Sequence, residues 1–291
     1  MPLQKAAQTD RRGAKRRTIW SWLILFFTLL TLISWLFPFW MSVTTALKDP
    51  VELASSSATS LPHSLYWGNF TRFWSESDFP RKLFNSILIS GLACLITVVF
   101  SFLNAVAIGV GRIKRSRLVL TVCLIAFAIP QEAVVYPTYK VSKILHIYGN
   151  PIAVIFVLGI LYSAFGTFLL GEVMKSFPRE LIDAAFVDGV RIREMLRHVI
   201  YPLLKPTIQT LAVMVFIWNW NEYMMPLILL PDNATQTVPI ALASTYSQPG
   251  FNVVPDIGWG AAGALISAAP TILFFLLFQR VIARGITMGT D

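Results

Sequence analysis

Charge is what this 291-residue chain has least of: Asp, Glu, Lys and Arg together make up 13% of it, against roughly 25% in soluble domains. So few charges cannot cover a water-facing surface, and the rest of the composition agrees, with 55% hydrophobic residues and a mean hydropathy of +0.64. Cysteine is scarce as well. The two present, Cys94 and Cys123, fall inside apolar runs, which excludes a disulfide framework and leaves them as packing residues. The three histidines, His63, His146 and His198, lie in three separate segments, so no metal-ligand cluster is visible. No lysine follows a glycine, which excludes a G-x-x-x-x-G-K phosphate loop, and no G-x-S-x-G elbow occurs. No catalytic residue is assigned, no cofactor or metal is expected on this chain, and any nucleotide it uses must be held by another protein.

What is present is long apolar sequence. A helical span needs about 20 apolar residues, and six segments qualify: 19–43, 83–110, 118–137, 150–171, 206–230 and 257–280. The third and fifth reach that length only by running past one acid each, Glu132 and Glu222. The expected fold class is therefore an all-α integral membrane protein of six transmembrane helices, with the lipid bilayer as its surroundings. The first run is too long for a signal core and carries Trp20, Trp22, Trp35, Phe37, Phe39 and Trp40, which suit a retained span with aromatic anchors.

The basic residues set the orientation. With an inside amino terminus, the tail 1–18, the loop 111–117, the loop 172–205 and the tail 281–291 with Arg280 hold 18 of the 24 Lys and Arg residues. The outside loops 44–82, 138–149 and 231–256 hold only Lys48, Arg72, Arg81, Lys82, Lys140 and Lys143. The positive-inside rule then places both termini in the cytoplasm. The formal net charge of +9 follows from this topology, and with no basic patch interleaved with aromatics nucleic-acid binding is not expected. The outside loops are rich in Ser, Pro and aromatics, and two readings stand for them: contact with an extracytoplasmic partner, or solvated connection. Asn69-Phe70-Thr71 matches a glycosylation acceptor, a pattern that recurs by chance.

Glu132 lies 14 residues after Leu118 and Glu222 lies 16 after Pro206, which at about 1.5 Å per residue sets both at a similar depth in the outer half of the bilayer. An acid there costs about 2.5–3.5 kcal/mol on insertion scales, so such residues face a bundle interior or water. Their neighbours are of one kind. Gln131 and Tyr136 flank the first, with Pro130 and Pro137; Trp218, Asn219, Asn221 and Tyr223 flank the second, with Trp220 and Pro226. Prolines break helices where a segment lines protein or water, and aromatic rings beside amides and carboxylates suit a sugar, whose C–H faces stack while its hydroxyls bond. Glu222 has two readings at this stage, lining a solute path or bracing a kinked helix.

Within the inside loop 172–205 stands a charged, amphipathic island, Glu180-Leu-Ile-Asp-Ala-Ala-Phe-Val-Asp-Gly189, continuing through Arg191 to Pro202. Pro178 suits a first helical turn and Gly189 the left-handed end of that helix. A second helix reads from Arg191, with Ile192, Met195, Leu196, Val199 and Ile200 on one apolar stripe.

The spacing of Asp183, Ala184 and Ala185, Gly189 six residues after the acid, and Pro202 thirteen after the glycine resembles the E-A-A loop of bacterial binding-protein-dependent ABC importer permeases. Asp183 replaces the usual Glu. The carbohydrate, maltose-permease-like subgroup is the nearest likeness, and Trp220-Asn-Glu-Tyr223 resembles that subgroup's fifth-span signature. The resemblance implies the type I importer architecture and a coupling helix in which Glu180, Asp183, Ala184, Ala185, Asp188, Gly189, Arg191 and Pro202 meet a separate ATPase. It further implies a second permease subunit, homologous or identical, two ATP-binding subunits that carry ATP and Mg, and a periplasmic solute-binding protein. The pathway residues by this reading are Gln131, Glu132, Tyr136, Trp218, Asn219, Asn221, Glu222 and Tyr223. The implied function is import of a sugar or oligosaccharide across the bacterial inner membrane by alternating access. The alternative is a proton- or cation-coupled carrier or channel built on Glu132 and Glu222. Neutral oligosaccharides, acidic ones such as alginate fragments, and glycerol phosphates remain open as solutes, because the outside loops show no charge preference.

Overall fold

A computed structural model describes residues 3–57, 59–110, 113, 115–177, 180, 187, 189–245 and 257–287, with side chains described between 19 and 279. The described residues are helical throughout, with no strand among them. Five helices are long and apolar enough to cross a membrane, and a bent pair makes a sixth span. The chain divides into two compact units, residues 1–71 with 256–265, and residues 72–255 with 266–291.

In the first unit, α1 (Leu3–Ala46) supplies a span over Ile19–Ala46 whose residues 19–40 are all exposed, as a lipid-facing helix requires. The segment after it folds back on a small polar core. Asn69, on α3 (Gly68–Glu76), is 2% exposed and donates to the carbonyls of Ala46 (3.0 Å) and Lys48 (2.8 Å). It is a bracing residue buried by its own bonds, which removes it as a glycosylation acceptor. Lys48, fully buried, donates to the Ser57 carbonyl at 2.7 Å and to Ser60 Oγ at 2.8 Å. On α2 (Pro50–Ser55), capped by Asp49, Glu52 accepts from the His63 backbone N–H at 3.0 Å and meets His63 Nδ1 at 2.8 Å. Burial alone would lift the Glu52 carboxyl, but the His63 ring and N–H and the Lys48 ammonium stabilise the anion and hold it below its ordinary value.

The second unit is built around α4 (Phe79–Gly109) and α7 (Pro151–Ser176). Asn150 starts α7, its side chain accepting the Ile152 N–H at 2.9 Å ahead of Pro151 at the first position. The two helices meet along small and hydroxyl residues, the usual way apolar spans associate when lipid offers no hydrophobic contrast. Thr97 Oγ1 donates to the Gly159 carbonyl at 3.0 Å, Ser101 Oγ to the Ser163 carbonyl at 3.3 Å, and Asn104 Nδ2 to Thr167 Oγ1 at 3.0 Å. At Gly166 an added Cβ would collide with Ser101 Oγ and stand 2.9 Å from Leu211, so glycine is what allows the close approach. Against this pair pack α5 (Ser116–Ala128) and α9 (Tyr201–Asn221), the latter accepting Cys94 Sγ–H at its Ala212 carbonyl.

Two expected spans are not single helices. The segment 118–137 is α5 followed by α6 (Gln131–Ile144), bent by 91° at Ile129–Pro130. Pro130 has no N–H for the Ala126 carbonyl, which accepts instead from Ile129, and the residue before a proline is pushed out of the helical region. The segment 206–230 is the end of α9 followed, after Glu222 and Tyr223, by α10 (Met224–Leu229). Here too a proline decides: the Pro226 ring occupies the space in which the Glu222 carbonyl would continue the helix. The loop beyond α10 is tied down by Asn85, which donates to the Ala234 and Gln236 carbonyls, and by Ser86 Oγ, which accepts the Val238 N–H at the start of α11 (Val238–Ser244). The last helix is α12 (Ile257–Thr287).

At its other end α9 has no boundary at Pro206. A turn at Ile192–Met195, here α8, runs through a π-helical turn at Leu196–Ile200 directly into α9, giving one continuous span over Ile192–Asn221. The π turn precedes Pro202, where an α-helix would lack one ladder bond. Of the apolar stripe read from the sequence, Met195 and Ile200 are buried in the core and Leu196 and Val199 pack against it, while Ile192 is exposed.

Candidate solute cavity and coupling segment

The two helix breaks fall on the two acids. Glu132 lies in the first turn of α6, immediately after the Pro130 break, and Glu222 is the residue at which α9 ends. Between the breaks the second unit holds a cavity of about 450 Å³, of mixed polar and apolar lining. Its aromatic wall centres on Trp218, which stacks on Phe127 (centroids 5.7 Å apart, planes at 26°) and contacts Tyr162 at 5.5 Å. Phe165 closes the cluster behind, 5.1 Å from Trp218 and 4.8 Å from Phe127. Packing of this kind holds the rings in fixed orientation, as a stacking platform requires. Polar groups converge on the same space: Gln131 Nε2 donates to the Tyr162 hydroxyl at 2.6 Å, and the Asn221 side chain is anchored by its Nδ2 donating to the Ile217 carbonyl at 2.8 Å.

Beside the cavity stand the carboxylates. Glu222 is half-buried, and its Oε1 accepts the Met225 N–H at 3.1 Å while the Met224 and Tyr223 N–H groups lie within its reach, so the side chain caps α10. One carboxylate oxygen braces the broken helix, and Glu222 itself does not line the cavity, though its neighbour Asn221 does.

Of the eight pathway residues expected from the sequence, the structure places Gln131, Trp218 and Asn221 in the cavity lining. Glu132 is exposed beside it. Tyr136, one turn on, does not line the cavity; it is 63% exposed and carries Lys140 over its ring at 4.9 Å. Tyr223 forms the link between α9 and α10, outside the lining. Asn219 is buried, with both side-chain polar atoms unpaired among the described residues. Sequence reading missed Tyr162, Phe127 and Phe165. The available signal for Tyr162 was a hydroxyl-bearing ring in the middle of an apolar span. A larger hollow, about 650 Å³, lies along α1, but its only hydroxyls, on Thr28 and Thr31, are already donated to the carbonyls of Ile24 and Phe27. Beyond these it presents only the indole N–H groups of Trp20 and Trp35 among apolar side chains.

On the coupling segment, Asp183, Ala184, Ala185 and Asp188 lie outside the described residues. Glu180 is exposed. Gly189 has φ +67°, the left-handed conformation, and an added Cβ there would meet nothing within 4 Å. Arg191 precedes α8 and is exposed, as are Arg193, Glu194, Arg197 and His198. Pro202 stands in the first turn of α9, also exposed.

Residues 11–288 match the family described as "Binding-protein-dependent transport system inner membrane component". Among characterised relatives, the lactose transport system permease protein LacG of Rhizobium radiobacter is 30% identical over 90% of this chain and 94% of its own. The probable starch degradation products transport system permease protein AmyC of Thermoanaerobacterium thermosulfurigenes is 28% identical over 92% and 96%. The fold resembles a chain in the crystal structure of a bacterial ABC transporter involved in the import of the acidic polysaccharide alginate, with a TM-score of 0.77 over 90% of this chain and 96% of that one at 18% identity.

Proposed function

This chain belongs to the family of binding-protein-dependent transport-system inner membrane components, and on that premise we propose that it carries a sugar or oligosaccharide through the cavity between its two broken spans. It is a multi-pass permease subunit of an ABC importer in the inner membrane. The observation that carries the solute reading is the aromatic wall of Trp218, Phe127 and Tyr162 facing amide and hydroxyl groups at Gln131, Asn221 and Tyr162. Rings cover the C–H faces of a sugar while the polar groups bond its hydroxyls. The names of the lactose and starch-product relatives support the same class.

Energy enters from outside the chain. A second permease subunit completes the pathway, two ATP-binding subunits hold ATP and Mg, and a periplasmic binding protein delivers the solute. Glu180, Asp183, Ala184, Ala185, Asp188, Gly189 and Arg191 form the face that meets an ATPase subunit. Because α8, the π turn and α9 are one continuous helix, a displacement at Arg191 is passed along Pro202 and Trp218 to the Glu222 break. Family membership favours this over a proton-coupled carrier built on Glu132 and Glu222.

Co-purification of the importer from its host identifies the binding protein and its ligand, and uptake of that ligand into proteoliposomes tests the site. Trp218→Ala and Glu222→Ala are expected to impair uptake while the subunits still assemble. Loss of assembly in Glu222→Ala would assign that residue to bracing alone.

A further inference from the structure

We infer that the cavity between the broken spans selects by charge, admitting an uncharged saccharide and disfavouring sugars that carry carboxylate or phosphate groups. This rests on the cavity being the solute site. Among the described residues no Lys, Arg or His lines it, and its polar side-chain groups are two amides, a phenol and the Trp218 indole N–H, all uncharged. All of these hydrogen-bond a hydroxyl; none balances an anion. The formal charges next to its lining are both negative, Glu132 beside Gln131 and Glu222 beside Asn221, each set there by a helix break. The lysines on α6, Lys140 and Lys143, are engaged with the rings of Tyr136, Tyr139 and Tyr148, outside the lining.

A solute anion entering this space leaves water without gaining a cation from this subunit, and the carboxylates beside the two breaks repel it through a medium in which their field is weakly screened. A neutral oligosaccharide bears neither penalty. The outward loops carry no such bias, so the selectivity belongs to the membrane-embedded cavity. The fold shared with an importer of an acidic polysaccharide does not bear on it, since 18% identity carries the fold and not the lining.

The test uses the complete importer in lipid nanodiscs without its binding protein, with saturation-transfer NMR titrations of maltotetraose and tetragalacturonate, probes of equal length and opposite charge class. Maltotetraose is expected to bind the wild type at least about tenfold more tightly than the uronate, the scale of one unit-charge repulsion across a few ångströms of protein. The double variant Glu132→Gln with Glu222→Gln should bring the ratio within about threefold, because Gln keeps an acceptor oxygen for the Met225 N–H while removing the charge. Uronate binding as tight as maltotetraose in the wild type, or a ratio unmoved by the double variant, overturns charge selection while leaving the cavity reading intact. Maltotetraose binding unchanged by Trp218→Ala removes the cavity as the site, and the proposal with it.

Discussion

Replacing Gly189 separates two reasons for a glycine in the coupling segment. Its φ of +67° lies in the left-handed region, and a Cβ built there meets nothing within 4 Å. Among the described residues the only cost of a side chain is therefore backbone strain, about 1–2 kcal/mol for an ordinary L-residue and less for Asn, which visits this region readily. A β-branched residue costs more. A penalty of that size shifts the population of the turn by roughly 5–30-fold, enough to uncouple an importer without unfolding it. The expected series for transport-coupled ATP hydrolysis is Gly above Asn, Asn above Ala, and Ala above Val, with expression and thermal stability nearly constant. Hydrogen exchange at residues 189–195 should rise in the same order. If Asn is as damaging as Val, the glycine serves close approach by the ATPase subunit and not the turn; if Val behaves as wild type, the left-handed turn carries no function.

Four further outcomes follow from the geometry. Gly166→Ala places a Cβ against Ser101 and Leu211 and should destabilise the α4–α7 pair by about 1–3 kcal/mol, read as a lower melting temperature in detergent. Asn69→Ala removes both donors to the Ala46 and Lys48 carbonyls, at about 1–3 kcal/mol for each buried acceptor left unpaired, and should expose the 47–66 segment to limited proteolysis. Tyr162→Phe leaves Gln131 without its 2.6 Å partner and should weaken solute binding with assembly intact, whereas Phe165→Leu should act through ring orientation and weaken it less. The Glu52 carboxylate sits below its ordinary value of 4.5, so its hold on His63 is complete above that pH and is lost as pH falls through the lowered folded value. Proteolytic protection of residues 57–66 should follow that course, and Glu52→Gln should make it independent of pH in the acid range.

The spans were legible because hydropathy is a property of composition, and the segment read from 150 does begin a helix at Pro151. The helix breaks were legible only as tendencies. Pro130 breaks its helix at its own position, but at the second site the break appears at Glu222, four residues before Pro226, where the displaced carbonyl lies. Sequence order hides that offset. Phe127 and Phe165 were not legible at all, since each sits in a run whose apolar character is explained by the bilayer, and Tyr162 showed only as a hydroxyl-bearing ring in mid-span. Only the packing of α5 and α7 against α9 brings them to Trp218. The boundary drawn at Pro206 also had no structural counterpart, because a π turn absorbs Pro202 and the helix continues.

That continuity bears on how the two sites communicate. A helix interrupted at the membrane surface would dissipate a push from an ATPase subunit in a hinge, whereas one running from Ile192 to Asn221 delivers it to its far end. The far end is where the ladder stops, at Glu222, and the N–H groups of the next helix are held there by the same carboxylate. The π turn and the prolines at 202 and 206 already loosen the ladder near the start of that line, and the break at Glu222 interrupts it outright beside the cavity. On this argument the bracing and pathway roles of Glu222 are one role. Glu222→Gln, which keeps the cap, should preserve coupling and alter only charge selection, while Glu222→Ala, which loses it, should lower uptake of every solute alike. Uptake that falls equally in both variants would refute the mechanical part of the reasoning.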